Sequence, residues 1–291
     1  MLSPIFFASP RFFSRKIKRN MSGVIGACGI IFLLLMGFLL PLCIQLNPYE
    51  LSTALSQEPG LSLGANYLLG TDDLGRDLFS RLVAGTKYSL SIGFTVVVGS
   101  ASIGAFLGLL AGVYGGWIDA VVMRCVDILM CLPSILLAIV MVAILGPGLV
   151  NAMIAVSIVA IPRFVRIMRA AAANEMKKQY VFAAQSCGTS KFKILWSEVL
   201  PNCWAPLIVQ TTLGFSDAIL DIAALGFLGL GAKAPTPEWG VMLSDAKPFI
   251  ESSPFMVILP GMCILITVLS FNLLGDWLRD WFDPKTRGQL Q

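Results

Sequence analysis

Six long apolar runs divide the chain, with shorter polar segments between them. Each is close to the roughly 20 residues that an α-helix needs to cross a bilayer. The runs cover residues 24–44, 89–113, 128–145, a segment that begins near 149, 207–230 and 255–274. The third contains Pro133, and the fourth meets Pro162 and Arg163 early. This pattern predicts an all-α, polytopic membrane protein with six transmembrane helices.

Composition excludes a soluble globular protein. Of the 291 residues, 56% are hydrophobic and 13% are charged, and the mean hydropathy is +0.80. An ordinary soluble domain has about 25% charged residues, so a globule of this composition would expose too much apolar surface. The six runs leave connections too short for a second globular domain.

Several kinds of catalytic site are excluded by residue content. The sequence has no histidine, which removes His-ligated haem, HExxH zinc sites and Ser-His-Asp triads. The seven cysteines form no C-x-x-C pair or metal-ligand spacing, and the phosphate-binding pattern GxxxxGK[ST] does not occur. We therefore expect no catalytic residues, no metal and no cofactor bound by this chain. If its work consumes ATP, another chain must bind the nucleotide.

Lysine and arginine predict the orientation. With the amino terminus inside, sixteen of the 21 basic residues fall on the inner side and five on the outer side. Such an excess is typical of the cytoplasmic side of a membrane protein, so both termini are predicted to be cytoplasmic. The net charge of +4 then reflects membrane topology and does not indicate nucleic-acid binding.

The chain divides into four parts on these grounds. Residues 1–21 are a basic, aromatic cytoplasmic segment suited to an anionic lipid surface. Residues 22–88 contain the first transmembrane helix and an outer loop with an amphipathic helix. Residues 89–280 hold five transmembrane helices and a cytoplasmic loop at 169–206, and residues 281–291 form a cytoplasmic tail.

A stripe of glycine marks the second run. Gly104, Gly108 and Gly112 recur every four residues and therefore lie on one helical face. In a membrane such a stripe lets another helix approach closely and pack by dispersion. We expect a helix–helix contact there, not a ligand site.

The outer segment before the second run predicts a short amphipathic helix. Thr71, Asp72 or Asp73 can cap its start, apolar residues follow at helical spacing, and Gly85 is expected to end it. Two interpretations stay open. The helix either lies on the outer membrane interface or forms a docking surface for an outside partner.

The connection between the fourth and fifth runs, residues 163–206, is the longest and most basic one. Capping and stop signals predict two short helices in it, bounded by Glu175, Gly188, Thr189 or Ser190, and Pro201. With the small residues Ala183 and Ala184 on one face, the two helices would form a compact cytoplasmic knob. The alternative is an ordinary solvated loop, which periodicity does not exclude.

Two acids lie inside the fifth run. Asp217 and Asp221 are four residues apart and share one helical face. Acids at membrane depth are costly and usually face a protein interior or a watery path. Either they line a pathway for a cationic or zwitterionic solute, or they make polar contacts between helices.

These segments together resemble the membrane permeases of binding-protein-dependent ABC importers. The loop pattern of that family is E-A-A, three residues, G, nine residues, I, one residue, L-P. The matching positions here are Ala183, Ala184, Gly188, Leu200 and Pro201. Phe182 replaces the usual acid and Glu198 the usual apolar residue, so an acid-mediated contact with the ATPase does not follow.

Further stretches narrow the resemblance to the C-type subunit of dipeptide and oligopeptide importers. They are residues 69–77, 223–231 and 235–243, and residues 203–210 and 276–280 favour the dipeptide branch. The resemblance runs from about residue 16 to about 287. It implies a type I ABC importer permease fold in a bacterial inner membrane, with 89–280 as the permease core and 169–206 as its coupling loop.

The resemblance also implies partners. A homologous B-type permease would complete the pathway as a heterodimer, two cytoplasmic ATPase subunits carrying ATP and Mg would grip the knob, and a periplasmic or lipid-anchored peptide-binding protein would deliver the solute. Alternatives remain open: the same fold serving an oligopeptide, an antimicrobial peptide or a nickel chelate, or a stand-alone secondary transporter. Paired broken helices in inverted repeats would indicate the latter, and no repeat is evident.

Overall fold

The computed structural model describes residues 21–44, 46–50 and 68–282, and the regular elements in these ranges are helices. An isolated bridge pairs Thr71 with Asp77. The basic segment before residue 21 and the tail after 282 lie outside the described residues. The described residues form ten helices and one short 3-10 turn, Lys247–Phe249. In chain order the helices are α1 Met21–Cys43, α2 Leu78–Tyr114, α3 Gly116–Met130, α4 Ser134–Leu145, α5 Leu149–Glu175, α6 Gln179–Ser186, α7 (191–202), α8 Trp204–Phe227, α9 Trp239–Ala246 and α10 Phe255–Phe282.

Five of these helices are long and apolar enough to cross a membrane, namely α1, α2, α5, α8 and α10. The third predicted span is broken: α3 and α4 meet at an angle of 91° and count as a sixth span only if taken together. Pro133 lies at this break, with an extended ψ of 135° immediately before α4. Proline has no N–H to donate and crowds the preceding turn, so the helix cannot run through it smoothly.

The separate outer helix predicted to end at Gly85 is wrong. Helix α2 begins after Asp77, whose carboxylate accepts hydrogen bonds from the N–H groups of Phe79 and Ser80, and it continues without interruption to Tyr114. A Cβ added to Gly85 would lie 2.7 Å from the Pro237 carbonyl oxygen. The glycine therefore permits a close backbone approach within the helix.

Helix α5 also runs further than predicted. It passes through Pro162 and Arg163 and ends only at Glu175, so the connection that follows it is shorter than residues 163–206. Pro162 is buried within the helix. The sequence predicted that the span ends where the arginines begin, because charged residues interrupt the apolar run. These arginines remain inside the helix because they form ion pairs with aspartates of neighbouring helices.

The glycine stripe of α2 lies against α5. A Cβ added to Gly108 would lie 2.6 Å from the Val165 carbonyl oxygen, and one added to Gly112 would lie 2.7 Å from the Ala172 Cβ. One added to Gly104 would overlap the Cβ of Phe164. The two backbones are so close that only glycine fits at these positions, and the pair forms the centre of the bundle.

In the part of the chain that the structure describes, two π-helical turns interrupt otherwise α-helical segments, and each is followed by a proline. Leu35–Leu39 precedes Pro41 in α1, and Leu195–Val199 precedes Pro201 in α7. The wider turn makes room for a proline ring and for the carbonyl that its missing N–H leaves without a partner. The prediction that Pro201 stops the second short helix is therefore wrong, because α7 continues through it to Asn202.

Candidate functional site

Helices α6 and α7 form a compact projection at one end of the bundle, which we call the elbow (residues 176–203). The predicted single helix over 175–187 is in fact divided, because α5 ends at Glu175 and α6 begins after Lys178. The Glu175 carboxylate accepts hydrogen bonds from Lys178 Nζ at 2.9 Å and from the Tyr180 hydroxyl. These contacts stabilise the turn between the two helices.

Gly188 ends helix α6, as the sequence predicts. Gly188 has φ +79°, its N–H donates to the Gln185 carbonyl at 2.9 Å, and the Thr189 N–H donates to the Ala184 carbonyl at 3.1 Å. This is the paired hydrogen-bond pattern that closes helices on a left-handed residue. Ser190 caps the next helix by accepting from the Lys193 N–H at 3.4 Å, which confirms one of the two predicted caps.

The elbow is packed firmly onto the spans. Its buried side chains belong to the same apolar cluster as residues of α2 and α5: Val181, Ile194, Leu195, Val199, Leu109, Val113, Met168 and Ala172. Asn202 donates from its amide to the Tyr180 hydroxyl at 3.2 Å, which joins α7 to α6. A displacement of the elbow must therefore move the ends of α2 and α5 as well.

The residues predicted for the coupling motif divide between the surface and the interior of the elbow. Ala183, Gly188 and Pro201 are exposed, while Ala184 and Leu200 are half-buried against the apolar cluster. Phe182 is 56% exposed. Sequence reasoning missed Glu175, Tyr180 and Asn202, whose contacts no periodicity reveals. Burial, together with the hydrogen bond to Glu175, raises the pKa of Tyr180, so its hydroxyl stays a donor at neutral pH.

Replacing Gly188 with valine is expected to destabilise the elbow by about 1–2 kcal/mol. A Cβ at this position meets nothing within 4 Å, so the cost comes from the left-handed backbone alone. Asparagine tolerates this conformation better, so Gly188→Asn serves as the matched control. Hydrogen–deuterium exchange of residues 179–190 measures the effect. Equal exchange in the wild type and the valine variant would show that the turn imposes no strain.

At the opposite end, residues 70–77 and 235–246 form a buried polar structure that we call the distal cap. The Asp72 carboxylate accepts from the Arg76 N–H at 2.8 Å and forms an ion pair with Arg81, whose Nε lies 3.2 Å from Asp72 Oδ2, and Arg81 is 2% exposed. Arg81 also donates to the Pro235 carbonyl oxygen at 3.3 Å. The predicted caps Thr71, Asp72 and Asp73 therefore do not start a helix; Asp72 holds the loop onto α2.

Glu238 caps α9 at the centre of this distal cap. Its two carboxylate oxygens accept from the N–H groups of Gly240 at 2.9 Å and Val241 at 3.0 Å. The side chain is 1% exposed, and burial raises its pKa above the usual value. Burial likewise raises the pKa of Asp73 and Asp245.

The distal cap is expected to lose stability as pH rises. Above the ordinary pKa of a glutamate, the folded chain still holds the Glu238 proton that the unfolded chain has lost, so raising pH favours unfolding. Glu238→Gln removes the contribution of the Glu238 proton to the pH dependence of stability, while the contributions of Asp73 and Asp245 remain. Exchange of the α9 amides at pH 5 and pH 7.5, corrected for intrinsic rates, checks the prediction. An unchanged pH dependence in the glutamine variant would refute it.

A column of ion pairs runs along α5, which the sequence did not predict. Three arginines at intervals of three residues each pair with an aspartate of another helix: Arg163 with Asp217, Arg166 with Asp127, and Arg169 with Asp119. The Arg166 Nη2 atom lies 2.7 Å from Asp127 Oδ1. Asp217 thus makes a contact between helices, and Asp221 lies beside it on the crevice that Arg163 also lines.

Known proteins match both the sequence and the fold of this chain. A family model described as the inner membrane component of binding-protein-dependent transport systems matches residues 104–288. The chain belongs to this family. Among solved structures, this permease resembles one chain of the inward-facing methionine ABC transporter MetNI, with a TM-score of 0.57 and 22% identity over 67% of this chain and 93% of that one. The predicted all-α permease fold of type I importers is confirmed.

Curated relatives match the permease over most of its length. The dipeptide transport system permease protein DppC of Haemophilus influenzae is 46% identical over 273 residues, covering 93% of this chain and 92% of the relative. The di/tripeptide permease DppC of Pseudomonas aeruginosa is 49% identical over 265 residues, covering 89% and 88%. The glutathione permease GsiD of Pectobacterium atrosepticum is 46% identical over 220 residues, covering 75% and 73%.

Proposed function

We propose that this chain is one of two membrane-spanning subunits of an ATP-driven importer of dipeptides. The observation that carries the proposal is the near full-length likeness to permeases named for dipeptide transport, at 46–49% identity. The relatives' names set the solute class, and the helical bundle provides half of a membrane pathway. A homologous permease supplies the other half as a heterodimer in a bacterial inner membrane.

The elbow is the surface through which we propose that two cytoplasmic ATPase subunits act. It projects beyond the membrane-spanning helices, exposes Phe182, Ala183 and Pro201, and is tied to α2 and α5 through a shared apolar cluster. ATP and Mg²⁺ bind and react on those partner chains. Since the position of the family's acid holds an exposed phenylalanine, we expect an apolar contact at that position.

The distal cap is proposed to receive the peptide-binding protein. It lies at the end opposite the elbow, so with both termini cytoplasmic it faces the outside. Its backbone is held by buried ion pairs between Asp72, Arg76 and Arg81. A rigid surface of this kind loses little conformational entropy when a partner docks on it. ATP-driven closure of the ATPases then shifts the population from the inward-open to the outward-open state.

Reconstitution tests this proposal. The complete complex in proteoliposomes, with its binding protein outside and ATP inside, is expected to accumulate labelled alanyl-alanine. Uptake should require ATP and fall when unlabelled dipeptide competes. Accumulation of glutathione, a longer peptide or a nickel chelate without any of dipeptide would refute the assigned solute. Dipeptide uptake that persists without the ATPase subunits would instead identify a stand-alone transporter.

A further inference from the structure

The Arg163–Asp217 ion pair lies at a depth where lipid does not tolerate charge. Arg163 is near the middle of the 27-residue helix α5, and Asp217 is near the middle of the 24-residue helix α8. Their side chains are 45% and 48% exposed on the isolated chain. Ionised groups within a membrane face protein or water. This face of the bundle therefore points toward the second permease and the pathway between the two subunits.

The charges on this face do not balance. Arg163, Asp217 and Asp221 line one crevice together with Gln210, which gives one cation for two carboxylates. In the described part of the chain, no lysine or arginine nitrogen lies within 4.0 Å of the Asp221 carboxylate. An unmatched carboxylate at this depth is costly, and an arriving ammonium group would neutralise it.

Resting on the proposed function, we propose that Arg163 and Asp221 form a transit site that binds the two charged ends of a dipeptide. The ammonium binds Asp221, and the carboxylate binds Arg163, which Asp217 holds in place until the solute arrives. Four residues of helix rise about 6 Å, and two residues of extended peptide span about 7 Å at most. The Arg163 guanidinium is held at Asp217, one helical turn from Asp221 on α8. The two ends of an extended dipeptide can therefore reach both groups, whereas an extended longer peptide places its ends too far apart.

The remaining ion pairs of α5 have a different role. Arg166–Asp127 and Arg169–Asp119 join α5 to α3, and in each pair one cation meets one carboxylate. They leave no charge for a solute, and none of their four residues lines the crevice that holds Asp221. Asp127, whose side chain is 53% exposed, is the matched control for Asp221.

The test compares Asp221→Asn with Asp127→Asn in the reconstituted complex. Asp221→Asn is expected to lower alanyl-alanine uptake by about tenfold or more, as the loss of one charge-assisted contact predicts. ATP hydrolysis stimulated by the binding protein should persist, so that more ATP is consumed per peptide. Asp127→Asn should keep uptake within about twofold. Equal losses in both variants, or loss of stimulated hydrolysis in Asp221→Asn, would overturn the proposal.

A charge exchange separates solute binding from helix packing. The double variant Arg163→Asp with Asp217→Arg places the negative charge on α5 and the positive charge on α8. An ion pair between the helices can still form, but the two charges have exchanged places. If the pair only joins the helices, the exchange restores the uptake lost in Arg163→Asp alone, and the proposal is wrong. If it binds the peptide carboxylate, uptake stays low. Wild-type uptake of dipeptide tests the proposed function separately, so the two failures are distinguishable.

Discussion

Exchanging Ala183 for tryptophan is expected to abolish ATP-driven uptake while the permease still folds and inserts. Ala183 is exposed on α6, so the larger side chain projects into solvent and disturbs no buried contact. In the assembled importer the same side chain would hold the elbow away from the ATPase surface that we propose packs against it. We expect uptake to fall below about one tenth of the wild type, which corresponds to at least about 1.4 kcal/mol of lost coupling.

Ala183→Ser is the matched control, since a hydroxyl adds little volume. Uptake by the serine variant should stay near that of the wild type, and both variants should elute as folded protein in detergent. ATPase subunits should copurify with the serine variant and not with the tryptophan variant. Full uptake by the tryptophan variant would place the ATPase contact elsewhere on the chain.

Gly108→Ala is expected to destabilise the permease by about 3 kcal/mol. The added Cβ would lie 2.6 Å from the Val165 carbonyl oxygen and 2.8 Å from the Met168 Cβ. A carbonyl in a helix cannot move aside as the end of a flexible side chain can, so the two spans must separate, at the upper end of the usual cost of overpacking. Thermal unfolding in detergent measures the change in stability.

Gly99→Ala is the control in the same helix. A Cβ there would meet only the Ser157 hydroxyl at 4.0 Å, which is an ordinary contact. Alanine also favours a helix over glycine by up to about 1 kcal/mol. This variant should therefore unfold at the wild-type temperature or above it. If both alanine variants unfold alike, the close approach of α2 and α5 is not what holds these spans together.

Local signals in the sequence predicted much of this fold. Apolar runs located the spans because each must cover itself with hydrophobic residues to lie in lipid. Gly188 and Ser190 ended and began the helices of the elbow as expected, since a left-handed turn and a hydroxyl cap act within a few residues. The same signals placed the two short helices of the elbow between the fourth and fifth predicted spans, where the structure has them.

Contacts between distant residues account for the errors. The sequence placed Arg163 outside the membrane because its partner Asp217 lies 54 positions away on another helix. The sequence predicted that Gly85 ends a helix, whereas the glycine makes room for the Pro237 carbonyl oxygen. That carbonyl belongs to a loop distant in the sequence, so local signals do not reveal the contact. The same limit hid the Glu175 contacts in the elbow. Hydropathy and capping signals depend on one segment of the sequence at a time, whereas each of these contacts joins two different segments.

A photo-crosslinking amino acid at position 182 tests the central claim most directly. Phe182 is 56% exposed, and an aromatic benzophenone side chain replaces it with little change in shape. Irradiation of the assembled complex should join the permease to a nucleotide-hydrolysing subunit, and the same label at the exposed position Ser252, near the distal cap, should not. Crosslinks from position 182 only to lipid, or to the peptide-binding protein, would contradict the account.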